Sequence, residues 1–211
     1  MAADWLEQVY WIGGPPDAGK TTLARALASK HNLALYEFDR SDLRHHRTLA
    51  DVDPEVASFL AASLDERWVR PEVDELVQRA LQSFESRFPL VLADLEDLAG
   101  GAPSGVIAEG FGLLPELVAP LLGAQTYRAV WLMPATEFKT ASMRRRDKPS
   151  FRHQTSDPER ARRNLLARDA RLGAVIATQA AAASLAVIHV DGDMDSGRLI
   201  DMVDRSFKLQ V

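Results

Sequence analysis

The stretch GPPDAGKT, which runs from Gly14 to Thr21, decides most of what can be predicted for this chain. It matches the pattern G-x-x-x-x-G-K-[S/T] in full. It follows the apolar stretch VYWI (Val9–Ile12) and leads into a segment, Gly19–Lys30, with helical patterning. A strand, a glycine-containing turn and a helix start in this order present backbone N–H groups and a positive helix end to an anion. The sequence therefore predicts a nucleoside-triphosphate site.

Each part of this stretch has a predicted role in binding the triphosphate. We expect the Lys20 ammonium to reach the β- and γ-phosphates, the Thr21 hydroxyl to coordinate Mg²⁺, and Thr22 to approach the α-phosphate. The remaining loop residues would wrap the phosphates with their backbone groups: Gly14, Pro15, Pro16, Asp17, Ala18 and Gly19.

Short apolar stretches recur along the chain between segments with helical spacing. A strand–helix alternation of this kind predicts an α/β fold, with a parallel sheet covered by helices on both faces. Sheets of this type bind ligands at the carboxyl ends of their strands. The five predicted strands are Val9–Ile12, Leu33–Phe38, Gly105–Gly110, Arg128–Met133 and Leu185–Val190.

Composition narrows the class of protein. The chain has 211 residues, 46% of them hydrophobic and 26% charged, which fits one globular domain and argues against disorder. A net charge of −5 argues against a dedicated nucleic-acid or membrane-surface binder. Cysteine is absent, which excludes disulfide scaffolds and thiol catalysis, and the sequence has no apolar run long enough to span a membrane. We therefore expect a cytoplasmic protein.

Two helices are predicted between the second and third strands. Apolar residues within Pro54–Trp68 have the spacing of one helix, and a second begins at Pro71 and includes Phe84. Trp68 and Phe84 are predicted to be core residues. The adjacent pair His45 and His46 could line the acceptor pocket or bind a metal ion. Neighbouring side chains on a helix point apart, which argues against a metal pair, and the prediction that is favoured is that both are exposed.

Acidic residues follow two of the predicted strands. The second strand ends in EFD, which would put Asp39 near the γ-phosphate, where an acceptor hydroxyl needs a base. The third ends in AEG, which offers Glu109 for a water-mediated contact to Mg²⁺. An arginine-rich segment lies between the fourth and fifth strands, and Arg outnumbers Lys by 20 to 5 in the whole chain.

At these residues the chain resembles the nucleoside-monophosphate-kinase and shikimate-kinase group of small P-loop kinases. In shikimate-kinase-like proteins an acid-x-Asp pair follows the second strand, and Glu37 and Asp39 stand at that place, so the resemblance implies that Asp39 activates the acceptor hydroxyl. It also implies a lid over about residues 144–168, in which Arg144 packs on adenine, Lys148 faces the phosphates and Arg168 supplies a second cation.

The resemblance has consequences for the fold as well. It implies the strand order 2-3-1-4-5 and a single P-loop kinase-like domain over residues 1–211. A helical insert over about residues 40–98 would cover the acceptor side.

The expected activity is transfer of the γ-phosphate of ATP, with Mg²⁺, to a small-molecule acceptor, with no nucleic-acid or membrane partner. The acceptor stays open: Arg40, Arg44 and Arg47 would suit an anion, whereas Asp39 and Asp42 would suit a polyol or a cation. The number of subunits is not predicted.

Other classes of protein also stay open. LVLADLED (Leu90–Asp97) can be interpreted as a strand of a motor or AAA-type ATPase that ends in acids, with Asp94 as the metal-linked acid, although its leucines have helical spacing and the chain is short for that class. A regulatory ATPase would hydrolyse ATP slowly without an acceptor and would act with a protein partner. A third class is a structural module that has lost nucleotide binding, and the intact Lys20–Thr21 pair argues against it.

Overall fold

The computed structural model describes residues 4–135, 154–191 and 194–209. In them five strands form one sheet in the order β2-β3-β1-β4-β5, and every neighbouring pair is parallel. The predicted sheet and its strand order are therefore confirmed. The strands are β1 Val9–Gly13, β2 Ala34–Glu37, β3 Val106–Glu109, β4 Ala129–Pro134 and β5 Ala186–Val190.

Helices connect the strands, and short 3-10 helices precede β1 (Asp4–Gln8) and β4 (Thr126–Arg128). The described α-helices, numbered in chain order, are α1 Lys20–His31, α2 Phe38–Ala50, α3 Pro54–Ala61, α4 Leu64–Trp68, α5 Val73–Gly100, α6 Pro115–Leu122, α7 Pro158–Ala182 and α8 Ser196–Phe207.

Helices cover both faces of the sheet, as is usual for a parallel sheet, and the edge strand β5 stays partly exposed. On one face Trp11 and Trp131 pack against α5, α6 and α7, where Val91, Val118 and Ile176 are fully buried. On the other face the strand residues pack against α1 and α8, and the buried side chains there include Ile12, Leu27, Val130, Val203 and Phe207. The chain therefore has three layers, with the sheet in the middle.

The insert between β2 and β3 differs in detail from the prediction. The single helix predicted over Pro54–Trp68 is wrong, because Ser63 interrupts it. The Ser63 hydroxyl accepts from the N–H of Glu66 and the Glu66 carboxylate accepts from the N–H of Ser63, a reciprocal cap that starts α4. The helix after it is longer than predicted, since α5 continues through Pro89.

In the described residues no helix is both long enough and apolar enough to cross a membrane.

Candidate active site

The Gly14–Thr21 loop joins β1 to α1, and several of its residues have positive φ angles, which residues other than glycine rarely adopt. The φ angles of Gly14, Asp17 and Gly19 are +126°, +64° and +86°. A Cβ on Gly14 would lie 2.2 Å from the carbonyl oxygen of Leu132 in β4, so only glycine fits there. The loop is thus held against the sheet by its own backbone.

Lys20 is the first residue of α1, and its side chain folds back over the loop. Its Nζ donates to the carbonyl oxygen of Pro15 at 2.9 Å, and the residue is buried. The ammonium and the positive end of α1 therefore lie at the same place, which is the charge arrangement that a polyphosphate needs. Of the other loop residues Pro15 and Ala18 are buried, whereas Thr22 is exposed.

Thr21 and Glu109 are brought together although 88 residues separate them in sequence. The Thr21 hydroxyl donates to Oε1 of Glu109 at 2.9 Å. Burial raises the pKa of Glu109; the charge of Lys20 and the Thr21 hydrogen bond oppose this shift, and the charges of Asp39 and Glu37 add to it. A hydroxyl and a carboxylate side by side are hard oxygen donors, so these two residues fit Mg²⁺.

Asp39 lies in the first turn of α2, immediately after β2 ends. The EFD sequence therefore does not end the strand, because Phe38 already belongs to the helix. Asp39 is exposed and borders a large cavity. Glu37, the last residue of β2, pairs in register with Glu109 of β3, so Asp39 and Glu109 lie at the same edge of the sheet.

The cavity lies among the helices of the insert and has a volume of about 1150 Å³. Its walls come from α2, α3, α4 and α5, from Phe111 after β3, and from Arg168 of α7. Phe38 forms part of the wall nearest the sheet, and a Cβ on Gly110 would lie 2.2 Å from that of Phe38. The absence of a side chain at Gly110 lets Phe38 approach the end of β3, next to Glu109.

Arg168 is held among two aromatic rings and a carboxylate. Its guanidinium donates from Nε and Nη2 to Oδ1 of Asp169 at 3.0 and 2.7 Å. The guanidinium carbon lies 5.1 Å from the ring centre of Trp68 and 5.9 Å from that of Phe111. Trp68 is accordingly a wall of the cavity and not the core residue predicted, whereas Phe84 is buried as predicted. Arg144 and Lys148 lie outside the described residues.

An ionic cluster in which His45 and Arg87 are buried joins α2 to α5, and sequence analysis missed it. Asp94 accepts from Arg44 at 2.5 Å and lies 2.8 Å from Nε2 of His45, which is fully buried. Asp42, which lies one turn before His45 on α2, accepts from Arg87 of α5 at 2.5 Å. The prediction of an exposed His45 is therefore wrong, because α5 covers it.

The position of Asp94 also bears on the interpretation as a motor or AAA-type ATPase. Leu90–Asp97 lies within α5, as its leucine spacing indicated, and so does not form a strand that ends in acids. The Asp94 carboxylate is engaged with Arg44 and His45. The metal-linked acid required by that alternative is therefore not supplied by Asp94.

We predict that His45 makes the stability of the fold dependent on pH. Burial lowers the pKa of His45 against the opposing effect of Asp94, whereas the unfolded chain keeps a value of about 6.5. The contribution of neutral His45 is therefore fully present above about pH 6.5 and is lost as the pH falls through the lower folded pKa. Chemical denaturation at successive pH values should show the free energy of unfolding falling over that window.

The matched controls for this prediction are two substitutions of histidine by asparagine. His45→Asn should flatten the pH dependence, whereas His189→Asn, at an exposed position of β5, should leave it as it is. An equal slope in the parent and in His45→Asn would assign the dependence to other groups.

Comparisons with known proteins agree with this geometry. The family model of the ATPase family associated with various cellular activities (AAA) matches residues 10–95, which is less than half of the chain. A sugar kinase from Janibacter sp. HTCC2649 superposes with a TM-score of 0.50 at 17% identity, over 96% of this chain and 95% of that one. A search of curated proteins with the sequence found no match.

Two further solved structures are similar. The Thermus thermophilus protein TT1252 superposes with a TM-score of 0.55 at 14% identity, over 96% of this chain and 98% of that one. A shikimate kinase from Acinetobacter baumannii, in complex with shikimate, gives a TM-score of 0.41 at 18% identity, over 96% and 92% of the two chains. The chain has the P-loop NTPase fold. The strand order and the two superpositions with TM-scores of 0.50 and 0.55 confirm the resemblance to small P-loop kinases at the level of the fold, and the Gly14–Thr21 segment is its P-loop.

Proposed function

We propose that the chain is an ATP-dependent phosphotransferase that moves the γ-phosphate of ATP to a small molecule bound in the cavity of the insert. The observation that carries this proposal is the position of Asp39. It borders the cavity and lies two residues after Glu37, whose register partner in β3 is Glu109, the residue that accepts from Thr21. An acceptor hydroxyl near Asp39 would therefore be close to the terminal phosphate of a nucleotide in the P-loop.

The P-loop residues would bind ATP through charge and backbone donors. Backbone N–H groups from Asp17 to Thr22 would donate to the phosphates, whereas Pro15 and Pro16 have no N–H and would only shape the loop, and Lys20 would leave the Pro15 carbonyl to contact the β- and γ-phosphates. Thr21 and Glu109 would hold Mg²⁺, Glu109 through water. When bound, the ion neutralises charge on the β- and γ-phosphate oxygens.

The transfer step follows from this arrangement. The acceptor oxygen would form a bond to the γ-phosphorus while the bond from that phosphorus to the β–γ bridging oxygen breaks, and ADP leaves with the electron pair. The proton of the acceptor hydroxyl would pass to the Asp39 carboxylate. Asp39 is exposed to the cavity, so it can return this proton to water after the product leaves.

Cations near the acceptor would stabilise the charge that spreads over the transferred phosphoryl oxygens. We assign this role to Arg168, which borders the cavity, and to Lys148, whereas Arg144 would pack on adenine. The stacking of Arg168 on Trp68 and its pairing with Asp169 hold the guanidinium in place in advance.

The Arg168→Ala variant should transfer phosphate about a hundredfold more slowly, because it loses a cation that acts mainly in the transition state. Its affinity for a non-hydrolysable ATP analogue should change much less, and steady-state kinetics with calorimetry would measure both. The control is Arg162→Ala, which removes an exposed arginine of the same helix that pairs with Glu159. If both variants keep the parental rate, Arg168 has no part in transfer.

The direct test of the proposed function is ATP turnover with Mg²⁺, without an acceptor and with a panel of nucleoside monophosphates, sugars, shikimate-like acids and hydroxylated antibiotics. Stimulation by an acceptor, with a phosphorylated product detected by mass spectrometry, would support it. Slow hydrolysis that no acceptor stimulates, together with acceleration by a protein partner, would favour the regulatory ATPase instead.

A further inference from the structure

The helices that cover the cavity carry apolar side chains that the fold does not bury. None of the residues of α3 or α4, all of which the structure describes, is classed as buried. Yet α3 reads PEVASFLA, and its larger apolar side chains Val56, Phe59 and Leu60 all border the cavity. A short helix normally gains its stability by burying such a face. The apolar side chains of α3 are therefore only partly buried by the rest of the fold.

Aromatic rings continue this apolar surface around the cavity. Phe59, Trp68 and Phe111 come from α3, α4 and the segment after β3, and all three stay partly exposed. Arginines are stacked on these rings, with Arg67 at 5.0 Å from the centre of Phe59 and Arg168 at 5.1 Å from that of Trp68. Such stacking fixes the planes of the rings, so they form a ready surface for another flat group.

The size of the cavity matches this interpretation. Its volume of about 1150 Å³ is slightly above the roughly 300–1,000 Å³ found for sites of drug-sized ligands. A single polyol or a small hydroxy acid would fill a small part of it and leave Phe59, Trp68 and Phe111 wet. A molecule with an apolar body would cover them and release the water.

We infer that the acceptor is a hydroxylated molecule with an extended aromatic or apolar body, which packs against Phe59, Trp68 and Phe111 while its hydroxyl faces Asp39. This inference rests on the proposed function, because only a phosphotransferase would use the ligand as an acceptor. The chemical class of the ligand is inferred from the cavity alone. The side chains line the inside of the cavity, which favours a bound small molecule over a second protein as their cover.

Calorimetric titration without ATP tests this inference with three probes that share one diol: propylene glycol, styrene glycol and naphthyl glycol. We expect the affinity to rise about tenfold with each ring, as burial of apolar area predicts. Trp68→Ala and Phe59→Ala should each remove most of the gain for naphthyl glycol. The matched control is Tyr127→Ala, which removes a ring that contacts Lys208 and does not border the cavity.

Equal binding of the three diols would overturn the inference, and so would parental affinity for naphthyl glycol in both cavity variants. Dimerisation that Phe59→Ala abolishes, with no binding of the probes, would assign the apolar face to a contact between copies and overturn it as well. A separate titration with a non-hydrolysable ATP analogue keeps the two proposals apart. If the protein does not bind the ATP analogue but the affinity for the diols rises with ring number, the proposed kinase function is wrong. If it binds the analogue but the diols bind equally, the inference of an apolar acceptor is wrong.

Discussion

Lys20→Ala should lower the rate of ATP-dependent transfer by about a thousandfold or more. The side chain is buried at the start of α1 and held over the loop by the Pro15 carbonyl, so its charge is in place before the nucleotide arrives. A cation in a site poor in water stabilises developing charge far more than one at the surface does. A thousandfold loss corresponds to about 4 kcal/mol of transition-state stabilisation. Turnover of ATP at saturating Mg²⁺ is the measurement.

The control for Lys20→Ala lies on the same helix. Lys30→Ala removes an ammonium from the other end of α1, where it pairs with Asp204, so it changes the net charge by the same amount. It should leave turnover within about twofold of the parent, as surface charges usually do. If Lys20→Ala turned over ATP as fast as Lys30→Ala, the P-loop of this chain would not be a site of phosphate chemistry.

Asp39→Asn should separate binding from transfer. The amide keeps the shape of the side chain but cannot accept a proton, so transfer to the acceptor should fall by a factor of about 10²–10⁴. Affinity for a non-hydrolysable ATP analogue should stay within about threefold of the parent, or rise slightly, because a negative charge near Glu109 is removed. Single-turnover transfer and analogue titration measure the two quantities.

Asp51→Asn is the matched control, since Asp51 is an exposed aspartate at the other end of α2. It makes the same chemical change far from β2 and should have no effect on either measurement. Transfer at the parental rate in Asp39→Asn would show that the base lies elsewhere, although the kinase reaction itself would then stand.

The P-loop and the strands were predictable because their signals are local. The segment GPPDAGKT needs only the backbone and two side chains to work, and β1 and β3 read as uninterrupted apolar stretches because parallel strands are buried on both faces. The strand order followed from a family resemblance. No spacing within the chain indicates that β3 lies between β2 and β1.

The cluster between α2 and α5 was not predictable in the same way. His45 and Asp94 are 49 residues apart, and their contact depends on which face α5 turns toward α2. A helical pattern fixes the face of each helix but not the partner that covers it. Trp68 illustrates the same limit, since an aromatic residue at helical spacing can border a core or a cavity.

The break between α3 and α4 had a signal that could have been used. Ser63 and Glu66 have the spacing of a capping box, and that motif marks a helix start even inside a longer apolar pattern. The periodicity of Pro54–Trp68 obscured this motif, because the apolar residues before and after Ser63 follow a single helical spacing. The two-helix arrangement matters for the site, since Phe59 belongs to α3 and Trp68 to α4, and both border the cavity.

The close approach of Gly14 to the backbone of β4 has a consequence for the thermodynamics of nucleotide capture. A loop whose φ angles are fixed by contact with a buried strand loses its conformational entropy when the protein folds. Little of that entropy is left to lose when a triphosphate arrives, so more of the interaction energy remains as affinity. Substitution of Gly14 should therefore weaken nucleotide binding through disorder in the free state, even where the new side chain never contacts a phosphate.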